Sequence, residues 1–115
     1  MLRGEIRLVD LEPTRGSEAS KRRPAIVVSN DRANAAASRL GRGVVTIVPI
    51  TSNTARVFAF QTLLPAAETG LRADSKAQAE QVRSVAVERV GRVLGNAPAP
   101  IMAALDDALR LHLQL

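Results

Sequence analysis

The feature that most restricts the fold of this chain is the run Pro24-Ala25-Ile26-Val27-Val28, entered directly from the triplet Lys21-Arg22-Arg23. Five apolar residues in succession, three of them β-branched, suit a strand buried on both faces, so residues 24–29 are predicted as a central strand. Pro24 is tolerated at a first strand position, where a missing N–H costs no ladder bond. Arg23, which precedes the proline, is biased towards an extended conformation. In an extended run Lys21 and Arg23 share one face while Arg22 points to the other. One cation can therefore be held rigidly beside the sheet. Taken alone, the triplet reads first as a solvated charge cluster on a loop.

Other elements arrange themselves around this strand. EIRLVDL at 5–11 mixes apolar and charged residues as a half-exposed strand does. The stretch 12–23, with Pro, Gly, Ser and charges, reads as a loop near the upper length limit for an unstructured connection. Asn30 or Asp31 can N-cap a short helix closed by Gly41. VVTIVPI at 44–50 is a third strand, in which Pro49 suggests an edge or bulge. It ends in the hydroxyl-rich turn Thr51-Ser52-Asn53-Thr54. FAFQTLL at 58–64 predicts a fourth strand, followed by a loop over 65–74. Residues 75–85 give a weaker fifth strand and 89–95 a sixth. Pro98 and Pro100 open a final helix with Ile101, Leu105, Ala108, Leu109 and His112 along a core-facing stripe. The expected architecture is a single domain over 1–115: mainly β with helices, a small barrel with one short helix after the second strand and one long helix last.

Composition narrows the chemistry. Cysteine is absent, which removes disulfides, thiol catalysis and Cys-zinc sites together. The single histidine, His112, excludes a two-histidine acid/base mechanism within one chain and reads better as a group at the last turn of a helix. The eleven acidic residues are scattered. Their one adjacent pair, Asp106-Asp107, diverges by about 100° on a helix and reads as a solvated face. No spaced metal-ligand set or cofactor motif is present, so neither metal nor cofactor is expected. Fourteen Arg against two Lys and a net charge of +5 fit a polyanionic partner, although an Arg-rich, Lys-poor bias also follows from GC-rich coding. Phe58 and Phe60 are the only aromatics, too few for the stacking platform of an RRM or a single-strand-binding OB surface. The N-terminus has no apolar signal region and no run reaches the roughly 20 residues needed to span a bilayer, so a cytoplasmic protein without membrane contact is expected.

Read together, DLEPTRGSE (10–18), KRRPAIVVSND (21–31), VPITSNT (48–54) and EQVRSV (80–85) resemble the MazF/PemK toxin family in order and spacing, over most of the chain. That resemblance implies an SH3-like homodimeric barrel and the toxin of a type II toxin–antitoxin pair. The activity it implies is a sequence-preferring, metal-independent endoribonuclease. The substrate would be single-stranded RNA, cut by its own 2′-OH to leave a 2′,3′-cyclic phosphate and a 5′-OH. By the match, Arg23 and Thr51 are the catalytic pair. Ser17, Glu18, Lys21, Ser52, Glu80 and Gln81 would lie near the RNA, and a MazE-like antitoxin would be the protein partner. Two departures stand out: Arg7-Leu8 where the family often carries an aromatic, and Lys76-Ala77-Gln78-Ala79 where it carries a more apolar run. The alternatives are a gyrase-poisoning toxin of the CcdB type, whose Trp-Gly-Ile ending this chain lacks, and a non-catalytic nucleic-acid-binding barrel.

Overall fold

A computed structural model describes residues 1–12 and 21–115. Ser17 and Glu18 lie outside the described residues. Seven strands, β1 (Glu5–Glu12), β2 (Lys21–Val27), β3 (Val44–Thr51), β4 (Gln61–Leu64), β5 (Ser75–Gln78), β6 (Arg83–Ala86) and β7 (Val90–Asn96), form one antiparallel sheet. Its order is β4-β5-β3-β2-β1-β7, with β6 also on β3. Three helices complete the α+β fold: α1 (Asp31–Leu40), the short α2 (Ala66–Thr69) and α3 (Ala99–Leu113).

β2 is buried on both faces, as its composition demands. Ala25 and Val27 enter one apolar cluster with Val9, Val45, Ile47 and Val85, capped by Ala37 of α1. Ile26 enters the other with Ile6, Val48, Ile50 and Leu64, closed by Ile101, Leu105 and Ala108 of α3. Complete burial of a side chain of this size stabilises the fold by roughly 1.5–3 kcal/mol. The α1 boundaries follow their predicted signals: the Asn30 side chain accepts from the Ala33 amide at 2.8 Å, and Gly41 closes the helix at φ 65°. Asp31, the other candidate cap, instead accepts from the Arg3 amide at 2.6 Å.

Several boundaries depart from the sequence reading. β2 begins at Lys21, because β1 pairs with it from Ile6↔Ile26 out to Glu12↔Lys21. Pro24 is therefore its fourth residue, opposite Leu8, in a stretch with a β1 partner but none on β3. β4 starts only at Gln61, since Phe58 and Gln61 close a turn through a 2.9 Å backbone bond. The loop over 65–74 contains α2. The expected fifth strand splits at a 3-10 turn, Ala79–Gln81, into β5 and β6, which pair with different ends of β3. His112 is exposed and does not belong to the α3 stripe. Asp106 is not simply solvated: it holds the Arg3 guanidinium at 2.5 Å, tying the N-terminus to α3.

Pro49 marks a change of partner in an interior strand, not a sheet edge. β2 pairs with β3 from Val27↔Ile47 to Ala25↔Pro49, and from Ile50 onward β3 pairs with β5 instead. β2 and β3 thus part company at one end. On the far side of that opening β7 meets α2 closely enough that only glycine fits at 95. A Cβ there would lie 2.1 Å from the Thr69 carbonyl oxygen.

Candidate functional site

The parting of β2 and β3 carries both residues of the predicted catalytic pair. Carrying the Ala25↔Pro49 register two residues further sets Arg23 level with Thr51, one on each lip. By the two-residue alternation of a strand, Arg23 follows the face of Ala25 and Thr51 that of Pro49, the last pair the two strands share. Arg23 is exposed, and opposite it on β1 lies the fully buried Val9. Three ion pairs form among the described residues and none uses Arg23, so its guanidinium is not committed to a carboxylate there. Thr51 is half-buried; its Oγ1 accepts from the Asn53 amide at 3.2 Å, which orients the hydroxyl and leaves its proton available.

Alternation turns the neighbours of this pair the other way. Pro24 and Ser52 line a groove of about 460 Å³ together with Leu8, Leu71, Arg72 and Arg92. Its floor is apolar and two exposed arginines stand at its rim. Neither arginine was singled out from sequence, because nothing in their spacing signals that α2 and β7 converge on Pro24. Arg22 occupies a different surface, a smaller hollow with Asp10, Glu88 and Arg89. Adjacent cations thus have unlike surroundings: Arg22 shares its hollow with carboxylates, and Arg23 stands level with a hydroxyl.

The other predicted contacts disperse. Ser52 is exposed and lines the groove. Lys21 is the first residue of β2, two positions from Arg23. Glu80 and Gln81 lie on the 3-10 turn, and only Gln81 is exposed. Glu80 turns to Gln61, accepting from its Nε2 at 2.7 Å, while Gln61 Oε1 accepts from the Phe58 amide at 3.1 Å. Glu80 therefore braces the Thr51–Gln61 loop. Phe58 and Phe60, dismissed as too few for a platform, stack on each other in that loop with centroids 5.2 Å apart.

Both departures from the family pattern are accommodated. Arg7 binds Glu5 Oε1 through Nη2 at 2.9 Å and the Gly91 carbonyl through Nη1 at 2.9 Å, clasping β1 to β7. Burial works against ionisation of Glu5, yet a backbone bond from Leu2 and the Arg7 guanidinium together hold its carboxyl below the ordinary value. On β5, Ala77 enters the core while the buried Lys76 carries its ammonium out to the Arg56 carbonyl at 2.6 Å. No group of three or more potential metal ligands occurs among the described residues.

A profile described as PemK-like, MazF-like toxin of type II toxin–antitoxin systems matches residues 2–113. The chain is 64% identical over 115 residues to endoribonuclease MazF9 of Mycobacterium tuberculosis, spanning all of this chain and 98% of the relative. It is 36% identical over 114 residues to endoribonuclease MazF6 of the same species, covering 98% and 96% of the two chains. Among solved structures, a MazE–MazF crystal structure from Deinococcus radiodurans superposes with a TM-score of 0.79 at 27% identity, covering all of this chain and 96% of the other.

Proposed function

The chain belongs to the PemK-like, MazF-like toxins of type II toxin–antitoxin systems, and on that premise we propose that Arg23 and Thr51 are its catalytic residues in endonucleolytic RNA cleavage. The observation that carries the assignment is the register: carried two residues past the Ala25↔Pro49 pair, it sets a guanidinium with no carboxylate partner among the described residues level with an oriented hydroxyl, on the two lips where β2 and β3 part.

The substrate's 2′-oxygen attacks the adjacent phosphorus and loses its proton. The P–O5′ bond breaks, water supplies a proton to the 5′-oxygen in exchange for the one water takes from the 2′-hydroxyl, and a 2′,3′-cyclic phosphate remains. Negative charge grows on the non-bridging oxygens of the phosphorane. A forked guanidinium and a hydroxyl donor meet that charge best, and their advantage lies in being placed before the reaction begins. Arg23 resists deprotonation at neutral pH, so it acts as electrostatic stabiliser and hydrogen-bonds the leaving 5′-oxygen, and serves neither as the base nor as the proton source. Thr51 orients the phosphate. Single-stranded RNA passes through the parting of the strands, from the face that Arg23 and Thr51 share to the groove on the other face, where Ser52 and the rim arginines Arg72 and Arg92 stand beside the backbone.

The same charge pattern suits regulation by competition. The Deinococcus structure joins a MazF to a MazE. An antitoxin tail that is acidic and partly apolar would lie on the apolar floor of this groove and pair with its arginines, excluding RNA. A two-fold dimer working in the cytoplasm is part of the same reading; among the described residues no helix is long and apolar enough to cross a membrane. The relatives named above are endoribonucleases, which favours cleavage over gyrase poisoning.

The test is incubation of the purified protein with a long RNA in excess EDTA. Discrete fragments bearing 2′,3′-cyclic phosphate and 5′-OH ends are expected, at the rate seen without chelator. Activity abolished by EDTA and restored by magnesium would refute the mechanism.

A further inference from the structure

The loop between β3 and β4 holds an aromatic surface that the reaction above does not use. Phe58 and Phe60 lie nearly parallel, 4° apart, with centroids offset at 5.2 Å. Phe58 is 43% exposed, although it is one of the two largest apolar side chains in the protein and core positions for it exist in neither cluster. Two cations lie over its ring: the Arg56 guanidinium at 5.5 Å from the centroid and the Lys76 ammonium at 5.8 Å. The arrangement is braced. Gln61 accepts from the Phe58 amide and is itself held by Glu80, and Lys76 donates to the Arg56 carbonyl. Lys76 is also the cross-strand partner of Thr51, so one side chain links the aromatic pair to the strand end that carries the proposed catalytic hydroxyl.

A parallel, offset pair of rings that is exposed, flanked by cations and propped from beneath suits one kind of occupant. A planar nucleobase extends the stack, while the cations meet the phosphate attached to it. We propose that Phe58, with Phe60 behind it and Arg56 beside it, forms a stacking subsite for one unpaired base of the RNA, a few nucleotides from the cut. This rests on the endoribonuclease reading above. Stacking tolerates every base because each has a π-face, so the subsite contributes affinity and registration, with little choice among bases. Glu80 and Gln61 are positioning residues for it.

The experiment uses an RNA oligonucleotide spanning a mapped cleavage site, with a 2′-deoxy substitution at the cut so that it binds without reacting. One abasic ribose is placed at each position in turn, and affinity is read by fluorescence anisotropy. For the wild type, one position near the cut should lose about tenfold in affinity on base removal. Phe58→Ala should lose about as much with the intact oligonucleotide, and then nothing more from the abasic change at that position. Phe58→Tyr should retain the interaction, whereas Phe58→Leu, apolar but without a π-face, should not. Losses from Phe58→Ala and from base removal that multiply at every position would overturn the subsite. So would unchanged affinity, or a change in oligomeric mass in place of a change in RNA affinity. Cleavage of the unmodified RNA by the wild type separates the two readings: additive losses with intact cleavage sink only the subsite, and absent cleavage sinks the function on which it rests.

Discussion

β2 has two halves that differ in almost every respect although no break separates them. Ala25 and Ile26 pair with both β1 and β3, Val27 pairs with β3, and all three are completely buried. Arg22 and Arg23 pair with β1 alone and are exposed. β3 changes partners along its length: Val44–Ile47 pair with β6, Ile47–Pro49 with β2, and its last two residues with β5. Stability is concentrated where each strand has two neighbours, and the proposed chemistry lies where β2 and β3 part. A polar group in the doubly flanked half would lose its hydration without compensation. A cation at the open end keeps its water until a phosphate replaces it.

The contrast is tested by exchanging damage between the halves. Ile26→Ala should cost about 2–5 kcal/mol of stability by denaturant titration, as large-to-small core changes do, with turnover per folded molecule unchanged. A fall in turnover at constant folded fraction would mean that the flanked half shapes the site directly. Arg23→Ala should do the reverse, lowering the cleavage rate by on the order of 10²–10³ while stability stays within about 0.5 kcal/mol. Thr51→Ala should lose less, and Thr51→Ser should keep part of the activity. Arg23→Lys, which retains charge but not the fork, should remain badly impaired. Arg22→Ala, from the carboxylate-lined hollow, should affect binding or stability by a few-fold at most; equal losses from both arginines would break the distinction between the two faces.

Gly95→Ala sharpens the comparison from the far wall of the groove. The added methyl meets the Thr69 carbonyl and must push α2 from β7, at a cost of about 1–3 kcal/mol. Since α2 leads into Arg72 at the rim, a thermal melt should fall together with RNA affinity. A lower melting temperature with unchanged affinity would show that the rim does not engage RNA. The smallest effect concerns Glu5. Its folded-state ionisation lies below the ordinary value of 4.5, so its contribution to stability is complete above that value and is lost as pH falls through the folded one. Glu5→Gln should therefore narrow its stability deficit against wild type as pH drops below about 4.5. A deficit constant across that window would assign the Glu5–Arg7 contact no net electrostatic role.

Much of the architecture could be read from residue order alone. Ile26 and Val27 announced a strand buried on both faces, Asn30 and Gly41 bracketed α1, and Pro98 with Pro100 opened α3. Arg23 and Thr51 were legible only through the resemblance, since neither differs locally from an ordinary surface residue. What escaped depends on contacts distant in sequence. β2 extends back through Lys21 because β1 supplies a partner, and the 75–85 segment breaks because its two halves serve different ends of β3. Arg72 and Arg92 meet Pro24 across some 50 to 70 residues of chain, which no local pattern encodes. The Phe58–Phe60 stack was missed for another reason. Two aromatics are too few when counted, but a turn closed at Gln61 brings both to the same place.

The change of partner at Pro49 has a dynamic consequence. Thr51 reaches the rest of the sheet through a ladder of only two residue pairs, Ile50↔Ala77 and Thr51↔Lys76. Arg23 instead rides on the six-pair seam between β1 and β2. Short ladders open locally at smaller free energy than long ones, so the Ile50–Thr51 end of β3 is expected to open more readily than the β1–β2 seam. Amide exchange at Ile50 and Thr51 should outpace that of β2. An inhibitor then has no need to fill the groove: unzipping two pairs would carry the hydroxyl away from Arg23 while the seam that holds β2 to β1 stays closed.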